Sequence, residues 1–113
     1  MLKLNSDLDG ALSSFIRLLK QEEYFEAHEV LEEAWHYLRS IKSPVVNLVK
    51  GLINGAIAFE HIKQNRHNAL KRAKRVIVSY DRYKGLYNQD IDSAFLFQEA
   101  MDSVEEIRVE FGV

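Results

Sequence analysis

Apolar residues recur every three or four positions along nearly the whole chain, and no stretch of four to eight residues alternates cleanly between apolar and polar. The pattern predicts helices and no strands. A first helix is expected from about Ser6 to Leu19, with Ser6 and Asp9 as a capping-box-like start, Leu8, Leu12, Phe15, Ile16 and Leu19 as its stripe, and Gly10 weakening the first turn. A second covers about Glu22 to Arg39. At Lys42-Ser43-Pro44 the chain has its clearest boundary, since Ser43 can cap and Pro44 suits a first helical position that needs no amide donor. The third helix, from Pro44 to about Lys63, is apolar on most sides and is expected to be central. Its Gly51 and Gly55, with Ala58 one turn on, would let a neighbour approach closely. Gln64-Asn65-Arg66 leads to a fourth helix with Ala69, Leu70, Ala73, Val76, Ile77, Tyr80 and Tyr83 on one face. After Gly85 and Asn88-Gln89-Asp90, a fifth carries Phe97, Ala100, Met101, Val104, Ile107 and Phe111. Short loops between long helices imply antiparallel neighbours. The expected fold is all-α: a single domain over residues 1–113, built as one compact bundle of about five antiparallel helices around a buried third helix.

Composition narrows the picture. With 113 residues, 47% of them apolar, the chain can bury a core unaided, and the absence of Cys excludes disulfides and thiolate metal sites. A formal charge of −2 argues against a dedicated nucleic-acid binder. The most apolar stretch, Val45 to Ile62, holds Asn47, Lys50, Asn54, Glu60 and His61, which a bilayer core disfavours, so no membrane partner is expected. Met1-Leu2-Lys3-Leu4-Asn5-Ser6-Asp7 lacks the apolar run of a signal peptide, and the expectation is a protein that starts at Met1 and resides in the cytoplasm. Charge is nevertheless segregated. Gln21 to Glu33 contains six acids and no base, whereas Lys63 to Lys84 contains eight bases and one acid, Asp81. The bases fall off the fourth helix's apolar stripe, as on a solvated face, and the acidic and basic faces could pair between chains in a salt-sensitive homodimer.

The second helix holds the candidate chemistry. At about 100° per residue, with His28 as zero, Glu32 falls near +40° and Trp35 near −20°, on the side of Leu31 and Tyr24. Glu22, Glu26, Glu29 and Glu33 fall between about +100° and +160°, on the outer face. Glu32 is therefore expected to point inward, where an unpaired carboxylate would cost several kcal/mol and must find a partner. Asn47, Lys50, Asn54 and His61 form one stripe on the third helix, and the two polar stripes are expected to meet inside the core.

The run Tyr24-Phe25-Glu26-Ala27-His28-Glu29-Val30-Leu31-Glu32 with Trp35 resembles the signature of the prokaryotic "domain of unknown function 309" family of small all-helical proteins. Gly51-Leu52-Ile53, Ala56, Ala58, His61, Asn65 and Ala69-Leu70 are similar to its second block, so the resemblance spans about residues 24–73. It implies an all-helical fold and supplies no reaction. The expected function is a non-enzymatic cytoplasmic module that binds a protein or small ligand, with His28, Glu32, Trp35, Asn54 and His61 as its polar cluster and no cofactor. The alternative is a small metal-dependent hydrolase in which His28, Glu32 and His61 hold a divalent cation and leave a position for water.

Overall fold

Packing in the computed structural model is organised around one long helix shared by three others. The structure describes residues 4–113; Met1, Leu2 and Lys3, which open the N-terminal segment read above, lie outside the described residues. The elements are α1 (Leu8–Lys20), α2 (Tyr24–Ser40), α3 (Val46–Gln64), α4 (Ala69–Tyr83), a short 3-10 turn (Lys84–Leu86) and α5 (Ala94–Phe111), with no strand among the described residues. Every predicted helix is present, and the starts of the first three lie two residues later than expected. The capping at α1 differs in its residue: Asp7, not Ser6, accepts the Gly10 amide at 2.9 Å. A Cβ at position 10 would collide with the Asp7 carboxylate, so Gly10, expected to weaken the first turn, makes room for its cap. Ser43 accepts the Val45 amide through its hydroxyl at 3.3 Å, ahead of α3.

α3 packs between α2 and α4, while α1 and α5 touch each other behind them, α1 against α2 and α5 against α3. The result is a front layer, α2–α3–α4, backed by α1 and α5. Neighbours in sequence run antiparallel: Phe25 shares a cleft with His61 while Trp35 meets Lys50, and Asn54 meets Ser79 while Gly51 lies under Tyr83. The alternation makes the first and last helices parallel, so Asp9 meets Ser93 at their starts and Leu19 shares a cleft with Ser103 and Ile107 further along. One apolar core runs through the layers. Leu12, Phe15 and Leu19 of α1, Leu31 of α2, Leu52 and Phe59 of α3, Ile77 and Tyr80 of α4, and Phe97 and Val104 of α5 are all buried in it. Tyr24, Phe59 and Phe111 join α2, α3 and α5 through ring contacts of 5.6, 5.8 and 6.2 Å.

Both α3 glycines face other helices. A Cβ at Gly51 would sit 3.3 Å from the Tyr80 Cα and the Tyr83 Cβ, whereas one at Gly55 would make ordinary contact with Val104 at 3.5 Å. The two sites should therefore respond oppositely. In chemical denaturation, Gly51→Leu should lose about 2 kcal/mol or more through overpacking. Gly55→Ala should be neutral or gain up to about 1 kcal/mol from helix propensity.

Candidate functional site

Among the described residues no helix covers the front of α3. Asn47, Lys50, Asn54, Ile57 and His61 are partly or fully exposed there, while Val49, Leu52, Ile53, Ala56 and Phe59 are buried behind. Alongside runs the α2 strip Phe25, His28, Glu32, Trp35 and Arg39, spaced three and four residues apart and so aligned on one helix face. The two polar stripes do run side by side, in antiparallel register, but along the surface and not in the core. Among the described residues no polar or charged residue is buried. The Glu32 side chain is 44% exposed and that of His28 17% exposed. The expectation of a buried His28/Glu32 cluster is thus corrected. Helical angles group residues on a face correctly, but this face lies at the edge of the layer, where none of the described helices packs above it.

Within the strip each side chain is held. The His28 Nδ1 donates to the Phe25 carbonyl at 2.6 Å, and its Nε2 lies 3.4 Å from Glu32 Oε2, an ion pair whenever the imidazole is protonated. Phe25 is 51% exposed, and its ring meets the His28 ring edge-on at 5.0 Å. Trp35 is partly buried, with the Lys50 ammonium 4.9 Å and the Arg39 guanidinium 5.2 Å from its ring centroid. Asn54 turns away from α2 and donates to the Ser79 hydroxyl of α4 at 2.8 Å. It serves the α3–α4 seam and not the His28–Glu32 pair.

His61 sits one end of the face away, in a cleft of about 520 Å³ lined by Phe25, Glu26, Glu60, His61, Lys63 and Arg66, among others. Beside it, the buried Glu60 Oε2 has no hydrogen-bond partner. The hydrolase reading needs three ligands around one ion. Among the described residues no three His, Asp or Glu side chains form such a group, so His28 and Glu32 come together and His61 does not join them.

A second polar assembly escaped the sequence reading. Arg108 of α5 makes a two-pronged contact with Asp81 of α4 at 2.6 and 3.0 Å and donates to the Val113 carbonyl at 2.9 Å. Lys84 reaches Asp81 at 3.0 Å, and the Tyr80 hydroxyl donates to Glu105 at 2.6 Å. The Arg108 hydrogen bonds hold the Asp81 carboxyl below its ordinary range, and burial together with the Glu105 bond pushes the Tyr80 phenol far up. Tyr24 rises to about 12, chiefly through burial. Asp81 stood out as the lone acid in a basic run, but its partner lies 27 residues on.

These features define a small five-helix domain with one uncovered three-helix face. Residues 12–73 match the family model described as Domain of unknown function (DUF309). The match takes in more than half of the chain, from α1 to the start of α4, and the chain belongs to this family. No curated protein and no solved structure gives a significant match.

Two outcomes follow from the geometry. Because Glu32 is half-exposed, Glu32→Ala should fall within about 0.5 kcal/mol of Glu29→Ala in denaturant melts, the range of surface sites. Asp81 behaves otherwise. Its lowered folded-state pKa contributes stability that is present above the ordinary carboxylate range and is lost as pH falls through the folded value. Asp81→Asn should therefore melt below wild type near neutral pH, with the gap closing as pH drops below about 4.

Proposed function

We propose that this domain is a non-enzymatic, cytoplasmic interaction module that receives a protein or small-ligand partner on the uncovered face of α2–α3–α4. The observation that supports it is that Phe25, His28, Glu32, Trp35, Lys50, Asn54 and His61 share that one face. Half-exposed aromatic rings lose water on binding, and Trp and Arg are over-represented among the residues that dominate binding energy. Here the rings are also fixed beforehand, Phe25 by His28 and Trp35 by Lys50 and Arg39, so little side-chain freedom remains to be lost.

A capture experiment tests this. The immobilised protein, incubated with extract of its own cells, should retain a stoichiometric protein or small molecule. Phe25→Ala and Trp35→Ala should each abolish retention, while Val109→Ala, a change at a 79% exposed position of α5, should leave it intact. Equal retention by all three folded variants would reject the proposal.

A further inference from the structure

We infer that the partner on the open face is a second copy of this chain, placed by a two-fold axis parallel to α3 so that α2 of each copy lies on α4 of the other. The inference rests on the reading of that face as a recognition surface and names its occupant. It begins from charge that the fold leaves unpaired. Lys71, Arg72, Lys74, Arg75 and Arg82 of α4 are all exposed, and the ion pairs among the described residues involve none of them. Lys71 and Arg75, four apart, and Arg72 and Arg75, three apart, are like charges on adjacent turns, an arrangement that destabilises a helix. Lys71 and Arg72 also stand near the positive end of the helix dipole, and the first turn of α4 has no acid. An outside anion would relieve both costs.

The same molecule carries that anion. Glu26, Glu29 and Glu32 of α2 are exposed or half-exposed, and only Glu32 has an ion-pair partner, His28, within the described residues. α2 and α4 each pack on α3, and among the described residues no ion pair joins the two. Between chains they can pair, and symmetry decides how. When two copies meet front to front, a two-fold axis lying in the interface and perpendicular to the helices sets α2 on α2 and α4 on α4, acid on acid and base on base. An axis parallel to the helices sets each α2 on the opposite α4. Charge selects the second arrangement. It also stacks α3 on its own copy, with Ile57 of one chain facing Ile57 of the other across the axis.

The size of the face is adequate. Helices of 17, 19 and 15 residues lie side by side in it. At about 1.5 Å per residue and 8–10 Å between axes, they present roughly 600–800 Å² per copy, close to the share of a standard stable interface.

Sedimentation of the full chain reads the outcome. At low ionic strength the protein should be a dimer, and raising salt to about 0.5 M should weaken association roughly tenfold or more, as screening of exposed charges requires. Arg72→Glu with Arg75→Glu in one chain, and Glu29→Lys with Glu32→Lys in another, should each give monomers with unchanged circular dichroism. Mixed in equal amounts, the two should form a one-to-one heterodimer, because each α2 then meets an α4 of opposite sign. A wild-type monomer at about 0.3 mM in low salt, a dimer that both charge-reversed variants keep, or a mixture that fails to associate would each overturn the inference. Should the wild type be monomeric while Phe25→Ala still abolishes capture from extract, the open face keeps its role with another occupant and only the self-pairing falls. If capture is also insensitive to Phe25 and Trp35, both readings fall.

Discussion

The close approach of α3 and α4 at Gly51 is the constraint on which the rest of the molecule depends. With no side chain at that point, the α3 backbone rests against the Tyr80 Cα and the Tyr83 Cβ. That seating sinks the Tyr80 ring into the core and carries its hydroxyl through to Glu105 of α5. It also brings Asn54 within hydrogen-bond reach of Ser79. The Asp81–Arg108 pair then fastens α4, so seated, to α5. A bulkier residue at 51 would push α4 outward and strain all of these at once.

Flush seating has a second effect. Three helices lying side by side have two faces, and a pair of backing helices covers only one. The apolar residues of α3 are spent on α2, α4 and α5, and its remaining surface, Asn47 through His61, is polar enough to stand in water. Ile57, Trp35 and Phe25 are the exceptions on that side; the Phe25 ring lies against His28 and the Trp35 ring against Lys50 and Arg39. The face is thus soluble when alone and able to lose water when covered.

The helices, the centrality of the third and the close approach at Gly51 could be read from periodicity, because a 3.6-residue repeat and a missing side chain are local properties, whereas Gly55, expected to do the same, meets Val104 at an ordinary contact distance. The grouping of His28, Glu32 and Trp35, and of Asn47, Lys50, Asn54 and His61, was legible for the same reason. Their burial was not. An angle around a helix says which residues share a face, but whether another helix lies above that face depends on the whole arrangement of five. Glu32 lies outside the core on this account alone: its angle is near that of His28, and both side chains reach water, His28 less than Glu32. The partners of Asn54 and Asp81, 25 and 27 residues away, required the tertiary structure. The cap at Asp7 depended on a glycine whose value lies in the space it leaves.

The parallel pairing of the first and last helices bears on the birth of the molecule as well as its final shape. As synthesis proceeds, α2, α3 and α4 can each dock on the element made just before, a sequence of local contacts that favours rapid assembly. Until α5 emerges, however, the backs of Gly55 and Phe59 lack Val104 and Phe111, and α1 lacks its companion. The segment that carries the family match ends at residue 73, before that closing helix is made. The nascent domain therefore waits on this 18-residue helix with an apolar flank open to the ribosome's surroundings, and the docking of α5 is the event that seals it.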